Sequence, residues 1–456
     1  MTETPPAWRT DLSLIVPHPG APSFLVLPDA AGWRLPALHF DKRMWLPDVA
    51  PLSAAVEAEL GLRATILRSA DVLLDREQHQ LTAIIIVEPL RADWQPPVGS
   101  RWVSAAELAE LELAQPEQRP ALERYFTELT EAPPLRPPWA VAGWYASAVV
   151  WIEAQLTRLG YTLSAPVEQI KSCGLSCVLR AQTSAGAVYF KISPPLPLFA
   201  AEPQIVAALA TRYPALVPTP LAIDAERSWL LLADLGAELR AQPDPALWTA
   251  AFSAHGQMQR GTVGDIAWLR ANGCVDRSLE RLAAQIDPLL ASDEVRRMLK
   301  PDEIAQLRAV APELRERCAE LMRSGPPPTL VHGDLHGGNI ALRDGRLSIF
   351  DWTDACVGHP FIDLPVMMWD ITDVFPDPAV QAAIRDSYLA QWTEYGSLEQ
   401  LQAMWTLAEP LIAMHHAVSY HAIVTNMEPA ERHILDMGMP HWLRRTLEIL
   451  SAQQSA

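Results

Sequence analysis

Three oxygen-bearing side chains in one short stretch carry the strongest chemical signal in this chain. Asp334 and Asn339 lie within Val331-His-Gly-Asp-Leu-His-Gly-Gly-Asn-Ile340, and Asp351 opens the Asp351-Trp352 pair beyond it. At a spacing of five residues, a carboxylate can hold an attacking hydroxyl while an amide oxygen holds a metal. Asp351 follows the apolar Leu347-Ser-Ile-Phe350, so a strand would deliver it as a second metal ligand. Phosphoryl transfer from a nucleotide needs positioning and neutralisation of developing charge more than covalent chemistry. Asp334 is therefore expected to aim a hydroxyl at a γ-phosphate. Asn339 and Asp351 are expected to hold magnesium, with water and phosphate completing its shell.

Five positions upstream would handle the nucleotide. Lys191 lies in Val188-Tyr-Phe-Lys-Ile192, where an ammonium among apolar neighbours is costly unless paired. Glu202, near the start of the next helix, is the carboxylate expected to brace it; an outward-facing lysine on a half-exposed strand is the alternative. The turn Cys173-Gly-Leu-Ser-Cys177 offers backbone N–H groups at Gly174, with Ser176, to cover phosphates. With its single glycine it is also an ordinary hairpin turn. Backbone groups near Ala233, in Leu230–Gly236, stand where a connector between lobes would run and would bind adenine. That assignment is positional.

The elements that must position these residues follow from pattern. Glu131-Ala-Pro-Pro-Leu-Arg-Pro-Pro138 has four prolines in eight residues and reads as a stiff extended linker. Before it, Leu12–Val16, Phe24–Leu27 and Leu81–Val87 predict strands. Leu52–Leu60 predicts a helix capped by Gly61, and Ser104 with Glu107 forms a capping-box signal. After the linker, a helix over Val141–Leu159 precedes three antiparallel strands, Val167–Ser172, Cys177–Ala181 and Ala187–Ile192. A helix over Ala200–Thr211 and strands at Leu221–Ala222 and Trp229–Leu232 follow, and from Pro245 the pattern is largely helical. There is no repeat at a solenoid or propeller period.

Composition narrows the class. The 456 residues predict two or three domains, and 49% hydrophobic with 20% charged residues is a globular balance. A net charge of −18 argues against a nucleic-acid partner, which needs a basic footprint. It is compatible with a cationic small substrate and equally with a solvated acidic surface. Five scattered cysteines without a CxxC pair predict a reduced cytoplasmic protein with no zinc site. The opening Met-Thr-Glu-Thr-Pro-Pro lacks a signal-peptide pattern. The longest uncharged stretches, Pro137–Ile152 and Pro410–Met427, read as buried helices rather than membrane spans.

His332-Gly-Asp-Leu-His-Gly-Gly-Asn339, then Phe350-Asp-Trp352 and Gly358–Asp363, resembles the aminoglycoside phosphotransferase and choline-kinase-like family of small-molecule kinases. The resemblance covers about residues 140–456. It implies Asp334 as the catalytic aspartate, Asn339 and Asp351 as magnesium ligands, and Lys191 with Glu202 as the nucleotide pair. It implies a bracing role for Asp363. Two departures stand out: His359, where many members carry aspartate, and the glycine-poor phosphate loop. The N-terminal region resembles a Nudix domain in outline through Ala54–Leu62 and Arg101–Leu108. The magnesium-binding acidic positions are Ala54-Ala55 and Ala58-Glu59, so a fold without hydrolase activity is implied, serving in interaction or substrate shaping.

Three other readings compete. Gly333–Gly337 is similar to part of a binuclear metallophosphoesterase signature, but its Asp-x-His and Asn-His partners are missing. His332 and His336 are four apart, a zinc spacing on a helix, yet the glycines around them oppose a helix. A pseudokinase-type nucleotide- or ligand-binding protein would fit the same residues without efficient turnover.

The expected fold is α+β. A two-lobed protein-kinase-like domain over 139–456 (small antiparallel β lobe about 139–236, large helical lobe about 237–456) follows a degenerate Nudix-like domain over 1–130 and the linker 131–138. The expected activity is γ-phosphoryl transfer from magnesium-ATP, or GTP, to the hydroxyl of a small cationic or sugar-like molecule, with no membrane partner. The substrate pocket is expected among the helices carrying Trp369, Asp370, Trp392, Trp405, His415, His416 and Tyr420, although core packing explains those residues as well. Substrate identity and oligomeric state stay open.

Overall fold

Branched and apolar runs set the strands close to where the pattern puts them. The computed structural model of the chain describes residues 7–91, 93–435 and 437–455. The opening hexapeptide, read above for its lack of a leader, lies outside them. The chain forms two compact units: Met1–Pro194 with Met427–Ile434, and Pro195–Asn426 with Leu435–Ala456.

In the first unit a four-stranded sheet runs in the order Ala37–Phe40, Arg9–Ile15, Gln80–Pro89, Ala64–Asp75. Its central strands, Arg9–Ile15 and Gln80–Pro89, are parallel. Buried on both faces, they need apolar residues at consecutive positions, which explains the run Ala83-Ile-Ile-Ile-Val87. Leu12, Leu14, Ile85 and Val87 pack with Leu52 and Val56 of the helix Ala50–Leu60. Ile15, Ile84 and Ile86 pack the other way, with Leu122 and Tyr125 of the helix Arg119–Thr130. Gly61 ends the first of these helices at φ +59°, and its N–H donates to the Glu57 carbonyl. The Ser104 N–H and hydroxyl both meet Glu107 Oε2, at 2.9 and 2.7 Å, completing the expected cap.

The longest strand of this sheet, Ala64–Asp75, was not anticipated. It is bulged at two places, between Ile66 and Arg68 and between Ser69 and Asp71, which breaks the alternation a regular strand would display. The proline-rich segment is not extended throughout: it turns at Pro134-Leu135, where the Arg136 N–H donates to the Pro133 carbonyl at 3.1 Å, and then enters a single turn of 3-10 helix at Pro138–Ala140. It is also pinned. Arg136, nearly buried, bridges Glu128 at 2.7 Å and Glu428 at 2.5 Å. The helix Trp144–Leu159 buries only one face, with Val150 66% exposed, so the expectation of a buried helix holds there in part. Three antiparallel strands follow, Glu168–Cys173, Ser176–Thr183 and Gly186–Ile192. Phe190 lies between Trp144 and Trp151, at ring distances of 6.0 and 5.8 Å.

The second unit is mainly helical around one large core that includes Trp248, Phe252, Trp352, Tyr388 and Trp392. The helix Leu398–Thr425 buries most of its second half, as its uncharged composition predicts. No helix among the described residues is long and apolar enough to cross a membrane. Two strand sets frame the loop that carries Asp334 and Asn339. Thr329–Val331 pairs antiparallel with Cys356–Gly358, and Ile340–Arg343 forms a hairpin with Arg346–Ile349. Residues 332–339 leave the first set and enter the second, and Asp351 follows the hairpin. The fold is α+β, protein-kinase-like, as expected.

Candidate active site

The loop from His332 to Asn339 is non-helical, and Gly333 shows why. It sits at φ +86°, and a Cβ there would lie 2.5 Å from the Asp354 carbonyl oxygen, so no other residue fits. A zinc pair of His332 and His336 on one helix face is thereby ruled out. His332 is fully buried; its Nε2 donates to the Phe350 carbonyl at 2.9 Å, and its Nδ1 accepts the Asp334 N–H at 3.3 Å. Burial pushes its pKa down to about 4, so the ring is neutral near pH 7. It ties the loop to the segment that precedes Asp351.

Asp334 and Asn339 come together. Asn339 Nδ2 donates to the Asp334 carbonyl at 2.8 Å and approaches Asp334 Oδ2 at 3.5 Å. With the amide nitrogen turned to Asp334, its oxygen is the atom left for a cation. The Phe350 N–H donates to the Asn339 carbonyl at 3.0 Å, which sets Asn339 beside the end of the hairpin. Asp351 follows at φ +62°, a left-handed backbone costing about 1 kcal/mol for a residue with a side chain.

Glu202 is buried at the start of the helix Glu202–Arg212. Its carboxylate accepts the Trp352 N–H and the Thr353 hydroxyl, each at 3.1 Å. The same hydroxyl lies 2.9 Å from Asp351 Oδ1. Thr353 therefore links the two carboxylates, a role the sequence reading missed although it adjoins Asp351-Trp352. Ala233 ends the strand Trp229–Ala233 with its side chain exposed.

Lys191, Gly174 and Ser176 belong to the first unit. Lys191 is half-buried, opposite Val178 in the strand ladder. Cys173 pairs with Ser176, so Gly174 and Leu175 form a two-residue turn. Glu431 reaches this turn: its carboxylate accepts N–H groups from Ser69, at 3.0 Å, and from Gly174. Burial pushes the Glu431 carboxyl above its ordinary range, against those hydrogen bonds.

Asp363 braces the loop. Fully buried, it accepts the N–H groups of His332 and Gly333 at 3.0 and 2.8 Å, His255 Nε2 at 2.7 Å and Gln259 Nε2 at 2.9 Å. Burial raises its pKa, and the His255 hydrogen bond with the nearby histidines outweighs that, leaving the carboxylate below its ordinary value. His255 and Gln259 gave no signal in sequence. His359 accepts the Phe361 N–H at 3.3 Å and starts the turn that carries Asp363. Burial takes it down to about 3, so a neutral ring does the capping an aspartate would do.

Of the residues expected to line a substrate pocket, Trp392 and Trp405 are core instead. His416, Trp442 and Trp369 form a stack, at ring distances of 4.5 and 4.7 Å, with Trp369 46% exposed at its end. Tyr420 lies close enough to Asp334 and Asp354 for their charges to add to burial in pushing its phenol up to about 12. Arg240, 96 residues from His336 in sequence, joins the loop through His336 and Asp370.

The profile of the phosphotransferase enzyme family matches residues 174–401, half of the chain. No curated protein matches. Among solved structures, the chain is similar to a GDP complex of wild-type aminoglycoside 2'-phosphotransferase-IIIa (14% identity, 68% of this chain and 99% of that one, TM-score 0.48). It is also similar to the choline kinase LicA from Streptococcus pneumoniae (13%, 67% and 99%, TM-score 0.46). A choline/ethanolamine kinase family protein from Mesorhizobium loti aligns at 14%, over 67% and 98%, with TM-score 0.44. On the extent of the family match, this chain belongs to the phosphotransferase enzyme family and is a phosphotransferase with an alcohol group as acceptor.

Proposed function

We propose that the protein is a small-molecule kinase that moves the γ-phosphoryl group of magnesium-ATP, or GTP, to a substrate hydroxyl. The observation that carries this reading is the joint placement of Asp334 and Asn339, with the amide nitrogen on Asp334. Asp334 accepts the proton of the attacking hydroxyl and aims its oxygen at phosphorus. Lys191, Glu202, Gly174, Ser176 and Ala233 handle the nucleotide. Residues 1–130 are assigned as a degenerate Nudix-like domain, joined through 131–138 to the kinase domain.

Asn339 and Asp351 fit magnesium. They offer oxygen ligands only, and no group of three or more histidine, cysteine or acidic residues suited to a metal occurs among the described residues. Such a sparse oxygen set suits a cation that keeps water and phosphate in its shell. The ion would neutralise phosphate charge when bound. Exposed Trp369, next to Asp370 in sequence, favours a cationic or sugar-like acceptor.

A second reading, a weakly catalytic nucleotide-binding protein, gains support from Glu431, whose carboxylate occupies the Gly174 N–H assigned to phosphate.

The test is a screen of amino-sugars, amino alcohols, sugars and nucleosides for acceptor-dependent consumption of magnesium-ATP or GTP. It is repeated on Asp334→Asn, which should bind nucleotide but turn over at least ~100-fold more slowly. Full turnover by that variant would refute the role given to Asp334.

A further inference from the structure

His336 lies two residues after Asp334, and its ring is held by groups that cannot accept a proton from it. Arg240 Nη2 lies 2.9 Å from His336 Nδ1, and the Gly338 N–H donates to the same nitrogen at 3.0 Å. A guanidinium and a backbone N–H are donors only, so Nδ1 must present its lone pair. The ring proton then sits on Nε2, and Nε2 lies 3.7 Å from Asp334 Oδ2. An imidazolium would turn an N–H against the guanidinium. Burial, the largest influence on this ring, lowers its pKa; the charge of Asp370 opposes it, Arg240 works with it, and Asp351 opposes it more weakly.

Asp370 holds the arrangement from behind. Its Oδ2 accepts Arg240 Nε at 3.1 Å and the Gly337 N–H at 2.7 Å, and it stands 3.9 Å from His336 Nδ1, outside hydrogen-bond range. The glycine pair of the loop leaves room for this cluster. A Cβ on Gly337 would meet Trp248 at 2.7 Å and Asp370 Oδ2 at 3.1 Å; one on Gly338 would meet His336 Nδ1 at 2.8 Å.

We infer that His336 is a positioning residue for Asp334, fixed by Arg240 and Asp370 as the neutral Nε2–H tautomer so that its one N–H faces the Asp334 carboxylate. In the absence of substrate the contact is longer than a hydrogen bond, as such contacts often are, and it closes when Asp334 turns to meet a hydroxyl. The inference rests on the phosphotransfer reading for its purpose, and on the hydrogen-bond donors alone for the tautomer.

The decisive measurement is a side-chain nitrogen NMR spectrum of the full-length, histidine-labelled protein near pH 7.5, with His336 assigned by its loss in His336→Gln. Nδ1 should resonate as an unprotonated nitrogen and Nε2 as a protonated one. Arg240→Ala should convert this pattern to a mixture of tautomers. A protonated Nδ1 in the unmodified protein, or an unchanged pattern in Arg240→Ala, would overturn the inference. Acceptor-dependent consumption of magnesium-ATP or magnesium-GTP, with an acceptor found in the screen, supplies the second readout. His336→Leu should lower kcat by ~10–100-fold with little change in nucleotide KM. His336→Gln, whose amide N–H can replace Nε2–H, should recover most of the loss. Equal kcat in His336→Leu and the unmodified protein would refute the positioning role. If the unmodified protein consumes neither nucleotide with any acceptor of the screen, the phosphotransfer reading fails, and the nitrogen spectrum still decides the tautomer.

Discussion

Asp363 carries the backbone of Gly333: its Oδ1 accepts the Gly333 N–H at 2.8 Å while Oδ2 takes the neighbouring His332 N–H at 3.0 Å. A buried carboxylate with four donors around it costs little only while every donor remains paired. Asp363→Ala removes the acceptor from two backbone groups and from His255 and Gln259. It should destabilise the protein by about 3–5 kcal/mol in urea unfolding. Asp363→Asn, which keeps one acceptor oxygen, should lose less. Equal losses would mean that the charge, which both variants lack, holds the loop rather than the shape and acceptor oxygen that asparagine keeps.

Thr353 sits between Glu202 and Asp351. Thr353→Val keeps the volume and removes the hydroxyl that lies 3.1 Å from one carboxylate and 2.9 Å from the other. Magnesium-nucleotide affinity should fall by ~10–100-fold, as is usual when a group supporting a metal ligand is lost. Titration calorimetry with magnesium-ATP and a thermal melt would separate this from simple unfolding, since the melt should shift little.

Buried neutral histidines make stability depend on pH. His359 and His416 have ordinary values of 6.5 and drop to about 3 in the fold, in each case because burial disfavours the charged ring. Between those limits the unfolded chain binds protons that the folded chain refuses. Stability is therefore full above 6.5 and is lost as pH falls toward 3, by about 1 kcal/mol per pH unit for each ring. His416→Phe keeps the stack on Trp442 and removes one titrating group. Urea unfolding at a series of pH values should show a shallower slope for that variant.

Glu431 holds the Gly174 N–H that a phosphate would need. Glu431→Ala should tighten magnesium-ATP binding several-fold if the carboxylate competes with phosphate, measured by calorimetry on the full chain. Weaker binding would show that Glu431 instead braces the turn.

Much of the site was legible because its residues are close in sequence. Asp334, Asn339 and Asp351 fall within one loop and hairpin, where spacing alone restricts what they can reach. Asp363 was read as a brace through a family resemblance, and its four hydrogen bonds bear that out. Arg240, His255 and Gln259 were not legible: each lies 73 or more residues before the loop, on elements whose local pattern is that of any helix or turn. The strand Ala64–Asp75 was missed for a different reason, since its two bulges shift the register that alternation depends on. Trp392 and Trp405 were offered as pocket residues because aromatic content cannot distinguish a binding wall from a core.

The segment Met427–Ile434 belongs to the first unit, although the helices on either side of it belong to the second. Glu428 and Glu431, the buried partners of Arg136 and Ser69, are thus made only after more than nine-tenths of the chain. During synthesis the first unit cannot complete its charge pairing as it leaves the ribosome; it must wait for residues near the carboxyl end. A ribosome stalled or a message truncated before residue 427 would release a chain with Arg136 lacking its Glu428 partner, and such a product should be a substrate for proteolysis rather than a working half.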